Sequence, residues 1–383
     1  MMNDSYDVIV LGLGAMGSAA TYQLAQRGKR VLGLERFTPT HDQGSSHGQS
    51  RIIRLAYLEG PHYVPLLVRA YELWDQLERD SGAKVLTITG GLMIGPESSR
   101  AYSGSLRSAA THDIPYELID AAEIRRRFPQ FTPDSDTVAL YEYKGGVVYP
   151  EAAITTFQQM ANQHGAELHF EEPVMSWEAA PSGDRVRVTT ERGSYEAERL
   201  IISAGAYAPE LLHGVDLPLT VQRNVLYWFE PASDRELFAP DRCPIYIWQT
   251  DDGMSFYGFP ALDGTPSGVK VAFHNFGPLC TPETIDREVH PEEIARIRDW
   301  MADRLPAVSK GRFVAAKTCM YTLTPDQNFL LGAHPSYPQV IIGSPCSGHG
   351  FKFTSVIGEI LADLALEGAT KLPIEPFGLG RFL

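Results

Sequence analysis

The residues best suited to chemistry begin with Gly12-Leu13-Gly14-Ala15-Met16-Gly17, a Gly-x-Gly-x-x-Gly run that follows an apolar stretch from Tyr6 to Leu11. Such a run lets a strand turn tightly into a helix at Gly12, leaves room for a pyrophosphate at Gly14, and allows close helix packing at Gly17. Amides at the helix N-terminus would then hold the phosphates. Glu35 closes the next apolar run and is spaced to accept hydrogen bonds from a ribose, while an acid there disfavours the 2′-phosphate of NADP. These residues leave FAD and NAD as alternatives. The four cysteines, Cys243, Cys280, Cys319 and Cys346, lack Cys-x-x-Cys spacing, which argues against a disulfide framework or a zinc site, and no metal is expected. Arg54 lies between Ile53 and Leu55 and Lys352 between Phe351 and Phe353, settings less surface-like than those of most cations.

Positioning these groups requires an α/β scaffold. Tyr6 to Leu11, a helix to about Arg27 with Gly28 suited to its C-cap, and a strand from Val31 to Glu35 make a βαβ unit. Pro61 to Leu77 is an amphipathic helix with Leu66, Leu67, Ala70, Leu73, Trp74 and Leu77 on one stripe. From about Val85 to Tyr149 the pattern is strand-rich and irregular, broken by Gly90-Gly91 and Gly145-Gly146. A helix follows Pro150, then a hairpin across Arg192-Gly193, then a separate buried strand from Leu200 to Gly205. After Pro218 the chain is again strand-rich, with one helix near Glu292 to Leu305. Val340 to Gly343, Ser347-Gly348-His349-Gly350 and a helix through Ile360 to Leu366 repeat the opening order of strand, glycine turn and helix.

A chain of 383 residues has room for two joined lobes, and 44% hydrophobic with 21% charged residues is ordinary for a globular protein. A net charge of -14 repels a nucleic-acid polyphosphate. The N-terminus carries no pattern of a secretory leader, and no stretch approaches the roughly 18 apolar residues of a spanning helix. A cytoplasmic protein, with neither membrane nor nucleic acid as partner, is the expectation.

The run Gly44-Ser45-Ser46-His47-Gly48-Gln49-Ser50-Arg51-Ile52-Ile53-Arg54-Leu55-Ala56-Tyr57 resembles the segment that follows the ribose acid in the monomeric sarcosine oxidase and N-methyltryptophan oxidase family. Tyr257-Gly258-Phe259-Pro260, Lys270 with His274, Cys319-Met320-Tyr321-Thr322 and Ser347-Gly348-His349-Gly350-Phe351-Lys352-Phe353 continue the resemblance in matching order, nearly from end to end. It implies a two-lobed flavoprotein of the D-amino-acid oxidase type and turns the dinucleotide choice to FAD. A discontinuous Rossmann-like FAD lobe would comprise residues 1–84, 150–219 and 323–383, and a largely antiparallel substrate lobe residues 85–149 and 220–322.

The same resemblance implies the site. FAD would be held by Gly12, Gly14, Ala15, Met16, Gly17, Glu35 and Arg36, then by Ser45, His47, Arg51, Val174, Ala204 and Gly205, and finally by Gly348, His349, Gly350 and Lys352. Its 8α-methyl would be bonded to the Cys319 sulfur. Arg54 and Lys352 match the family's clamp for a substrate carboxylate, and Tyr257, His274 and Tyr321 its pocket. Lys270 corresponds to the lysine associated with oxygen activation, where an ammonium lowers the cost of charge on dioxygen. Arg51 would stabilise negative charge on the reduced ring, and so would amides of a helix beginning near Phe351. The family often carries two consecutive histidines where this chain has Ser46-His47. Cys346 is assigned no chemistry.

The expected reaction is oxidation of a secondary amino acid to an imine that hydrolyses, releasing formaldehyde from an N-methyl substrate, with oxygen reduced to hydrogen peroxide by a monomeric enzyme. A larger or cyclic amine, such as N-methyltryptophan, pipecolate, proline, an iminodiacetate-like compound or a fructosyl amino acid, is the alternative substrate, with Trp248, Asp251 and Met254 as residues that would shape the pocket. A reading from another class is a flavin-binding sensor without turnover.

Overall fold

Val8 to Leu11, Val31 to Leu34, Leu200 to Ile202 and Val340 to Ile342 are continuous apolar runs, and each is buried on both faces of a parallel sheet. In the computed structural model, which describes residues 5–344 and 347–383, these runs are the centre of an eight-stranded sheet. Its parallel neighbours lie in the order Tyr337–Ser344, Gly193–Ile202, Tyr6–Leu11, Val31–Leu34 and Glu167–His169, with Val10 opposite both Ile201 and Gly33. Helix Ala15–Gln26 covers one face by packing Ala19, Ala20 and Leu24 into a core shared with Val356, Ile357 and Ile360 of helix Thr354–Glu367. Cys346 lies outside the described residues.

The hairpin and the buried strand expected after residue 185 are one continuous structure. Gly193–Ile202 is a single ten-residue strand whose first half pairs antiparallel with Val186–Thr190 and whose second half pairs parallel with Tyr337–Ser344. Its hydrophobic pattern changes midway because one half is open to solvent and the other is covered on both faces.

The second sheet has nine strands. Eight follow the order Leu279–Cys280, Thr220–Glu230, Gly268–Phe273, Ser255–Leu262, Ile245–Gln249, Gly91–Gly95, Val138–Glu142 and Tyr116–Asp120, and Arg312–Leu323 also pairs with Thr220–Glu230. Every neighbouring pair is antiparallel except Ile245–Gln249 with Gly91–Gly95. One face packs Tyr227, Phe229, Trp248, Phe256 and Val271 against helix Pro291–Ala302, and the other carries Leu226, Trp228, Ala272, Cys319 and Tyr321. Period-two alternation thus separates core residues from site residues on the same strands.

Residues 85–149 contain two helices that the irregular pattern conceals. Arg100–Thr111 is capped by Ser99, whose hydroxyl accepts from the Tyr102 amide, and it buries only small residues: Ala101, Gly104, Ser105, Ser108 and Ala109. Ala121–Arg127 is capped by Asp120, which accepts from the Glu123 amide. A three-stranded sheet of Arg51–Ile53, Gly146–Val148 and Leu86–Ile88 completes the architecture and carries Arg51 toward the site. Among the described residues no helix is long and apolar enough to cross a membrane.

Candidate active site

One cavity runs from the turn after the first strand to the inner face of the second sheet. Its dinucleotide end is lined by Gly12, Gly14, Ala15, Met16, Glu35, Arg36, Val174, Ala204 and Gly205. Gly12 holds φ +87°, and a β-carbon on Gly17 would sit 1.8 Å from the Gly12 carbonyl oxygen, so both glycines are demanded by the turn and the helix packed on it. Gly17 therefore stands behind the wall. A β-carbon on Gly14 would meet no protein atom within 4 Å, which leaves this face of the turn free for a ligand. Glu35 accepts from the Leu13 amide at 2.8 Å and the Phe37 amide at 3.0 Å, retaining lone pairs for ribose hydroxyls. Arg36 pairs with Glu210 at 3.3 Å at the exposed rim.

Past this turn, the wall is formed by Ser45, Arg51, Cys319 and residues Gly348 to Lys352. The Arg51 guanidinium donates to the carbonyls of Ser45 at 2.7 Å and Ser50 at 2.8 Å, and lies 4.0 Å from the Cys319 sulfur. Burial raises the Cys319 thiol above its usual value, while Arg51 and Lys270 pull it back. Phe351–Phe353 is a 3-10 turn leading into helix Thr354–Glu367, so the helical start expected near Phe351 begins in that tighter form.

Lys270 and His47 are not on the cavity lining. The Lys270 ammonium donates to the carbonyls of Gly48 at 2.8 Å and Ser50 at 2.7 Å, and burial holds its amine well below the ordinary lysine range. His47 is buried with neither ring nitrogen paired, and desolvation together with the Arg51 charge lowers it to about 3, leaving a neutral ring. On the far side of the Gly48–Ser50 turn, Glu151 accepts from the Gly48 amide at 2.6 Å and from the Gln49 amide.

Arg54, Lys352, Tyr257, His274 and Tyr321 all line the second-sheet end of the cavity. Arg54 is 2% exposed and donates from Nη2 to both oxygens of Glu59, the nearer at 2.9 Å, while its Nε and Nη1 are buried without a partner. Glu59, which the sequence reading missed, is held down to about 2 because Arg54, with help from His349 and Lys352, overrides the cost of burial. Burial lowers Lys352 to about 7, and Arg54 adds to the effect. His274 and His349 fall to about 4, chiefly through desolvation, so both are neutral around pH 7. The Tyr257 and Tyr321 hydroxyls stand 3.4 Å apart.

Trp248, Asp251 and Met254 do not shape this pocket. Trp248 packs into the opposite core beside Phe131 and Phe256, Met254 joins the same cluster, and Asp251 is exposed. Ile247 and Ser255 line the cavity instead, with Ile247 opposite Tyr257 across the strand pair. A shift of one residue along a strand exchanges the faces, and from sequence the tryptophan was the more conspicuous neighbour. Leu58 and Ile52 complete the apolar lining.

A sheet with a parallel centre and a glycine turn at its first strand, with a second sheet roofing the cavity, is the architecture of a dinucleotide-dependent oxidoreductase. Residues 7–364 match the profile of the FAD dependent oxidoreductase family, and the chain belongs to that family. It is 52% identical over 377 residues to the monomeric sarcosine oxidase of Streptomyces avermitilis, covering 98% of this chain and 97% of that protein. It is 33% identical over 379 residues to the N-methyl-L-tryptophan oxidase of Yersinia pestis (strain Pestoides F), covering 98% of this chain and 99% of that protein. Among solved structures it resembles NikD, an unusual amino acid oxidase essential for nikkomycin biosynthesis, with a TM-score of 0.85, 26% identity and 98% of both chains covered.

Proposed function

We propose that the chain is an FAD-dependent oxidase of a small N-methyl amino acid, with sarcosine the first candidate. The overall reaction joins the amine, water and oxygen to give the demethylated amino acid, formaldehyde and hydrogen peroxide. The observation that carries the reading is the convergence of Arg54 and Lys352 on one buried wall beside Tyr257, His274 and Tyr321, with two Arg54 nitrogens lacking an acceptor. Buried donors of this kind hold an anion in a dry cavity. Leu58, Ile247, Tyr257 and Tyr321 supply the apolar walls against which such a substrate would lie.

The residues present fit FAD: the open face at Gly14 and the Glu35 carboxylate agree with a polar group seated along this cavity. Gly12 to Met16, Glu35, Val174 and Ala204-Gly205 would hold the adenosine and diphosphate, and Ser45, Arg51 and Gly348 to Lys352 the ring system. Bound FAD supplies a two-electron acceptor that oxygen can regenerate. Arg54 and Lys352 would orient the substrate by its carboxylate, and neutral His274 would leave the substrate amine free to lose its proton. Arg51 would offset negative charge beside Cys319, the proposed point of covalent attachment. Lys270, behind the Gly48–Ser50 turn, is the proposed oxygen-side cation.

Anaerobic mixing of FAD-loaded protein with sarcosine, N-methyltryptophan, proline and pipecolate tests the reading. Sarcosine should bleach the flavin absorption most rapidly, and readmitted air should restore it with release of peroxide. If none of these amines bleached the flavin, the oxidase reading would be lost.

A further inference from the structure

Tyr57 is wholly buried, does not line the cavity, and yet touches both cations that do. The Arg54 guanidinium sits 4.3 Å from the centre of its ring and the Lys352 ammonium 5.1 Å from it. Rings of Tyr63 at 5.0 Å, Phe353 at 5.4 Å and His349 at 5.8 Å fix the plane from the remaining sides. Its hydroxyl lies 2.7 Å from His349 Nδ1 and 3.3 Å from Lys352 Nζ.

The direction of every proton in this chain of contacts follows from its far end. His349 Nε2 faces the Gln327 carbonyl oxygen at 3.0 Å, and a carbonyl only accepts, so Nε2 carries the hydrogen. A neutral imidazole with hydrogen on Nε2 has a bare Nδ1, so the Tyr57 hydroxyl donates to it at 2.7 Å in preference to the His349 carbonyl oxygen at 3.3 Å. The Tyr57 oxygen then has only lone pairs to offer, and Lys352 donates to them. A second Lys352 hydrogen goes to the His349 carbonyl at 2.8 Å. An ammonium has three hydrogens, so one remains for the cavity that Lys352 lines.

We propose that Tyr57 is a positioning residue for substrate binding, its ring a shared platform for Arg54 and Lys352 and its hydroxyl the polarised link that aims the Lys352 ammonium at a substrate carboxylate. The inference rests on the reading of Arg54 and Lys352 as the carboxylate clamp. It assigns Tyr57 no contact with substrate.

Tyr57→Phe keeps the platform and removes the link. Acetate, a carboxylate that cannot be oxidised, serves as the probe, and its binding to the FAD-loaded enzyme is followed by perturbation of the flavin spectrum at a pH below 7. Loss of one link to a charged donor should weaken acetate binding about tenfold in Tyr57→Phe. The Michaelis constant for sarcosine should rise by a similar factor, with kcat within about twofold because the reacting atoms are untouched. In a Lys352→Met background the Tyr57→Phe change should alter acetate binding less than about twofold, since the group it aims is gone. Unchanged acetate affinity in Tyr57→Phe, or a loss equally large with Lys352 already replaced, sinks the inference alone. Unchanged acetate affinity in Lys352→Met sinks the clamp reading and this inference with it. Thermal unfolding and flavin content of Tyr57→Phe guard against misfolding. Should it fail to load flavin, Tyr57→Leu, which removes platform and link together, is put through the same cycle with Lys352→Met, and retained acetate affinity there also overturns the inference.

Discussion

At the scale of single residues the site is a problem of charges kept dry. Lys352 titrates at about 7 because burial and the neighbouring Arg54 both oppose its charge. An anion in the clamp favours the protonated form, so acetate should bind tightest below pH 7 and lose about tenfold as the pH rises to 9, with Arg54 sustaining the rest. Replacing Lys352 by Met should flatten that profile above neutrality, and a wild-type affinity constant from pH 6 to 9 would contradict the assignment. The same depressed value makes the unfolded chain the better proton binder between about 7 and 10.5, so this group's contribution to stability rises with pH across that window. Arg54 and Lys352 were legible from their apolar flanks and from the family resemblance. Glu59 was not, because nothing in Leu58-Glu59-Gly60 distinguishes a carboxylate folded back on an arginine five residues earlier from a solvated one.

At the scale of elements, the glycines of the first turn divide their duties in a way that predicts two different failures. Gly14 at φ -69° has open space where a β-carbon would go, so Gly14→Ala should leave the apoprotein's thermal unfolding nearly unchanged and weaken FAD binding, the added methyl occupying the phosphate face. Gly17→Ala drives a β-carbon to 1.8 Å from the Gly12 carbonyl oxygen and should lower the stability of the apoprotein itself. Calorimetry of both apoproteins with FAD titrations separates the two, and equal apoprotein destabilisation by both would show that the open face at Gly14 is misjudged. The opening βαβ unit was readable from its continuous apolar runs and glycine turn, and the helix stripe from Leu66 to Leu77 because bulky apolar residues recur at the helical period. Helix Arg100–Thr111 was not, since its buried face is made of alanine, serine and glycine, which carry almost no hydrophobic signal. Its Ser99 cap and the Asp120 cap of the next helix were the available clues.

For the molecule as a whole, the cavity draws its wall from the first strand's turn, the Ser45–Arg54 segment, the strands of the second sheet and the Gly348–Lys352 turn, so a cofactor seated there ties together parts distant in sequence. Such a ligand stabilises the folded state by mass action, and its effect depends on its free concentration only if it can leave. The proposed bond to Cys319 would remove that freedom. Denaturing electrophoresis under ultraviolet light should therefore show fluorescence travelling with the wild-type chain and absent from Cys319→Ser. The melting temperature of the wild type should not respond to added FAD. In Cys319→Ser each tenfold increase in free FAD above its dissociation constant should add about 1.4 kcal/mol to the unfolding free energy, seen as a steady climb in melting temperature. Cys319 is buried among Leu226, Trp228, Ala272 and Tyr321, and a serine differs from it by one atom, so the substitution tests the bond with little cost to packing. A wild-type melting temperature that climbs with FAD as steeply as the variant's would mean that the cofactor exchanges freely and that Cys319 is only a wall residue.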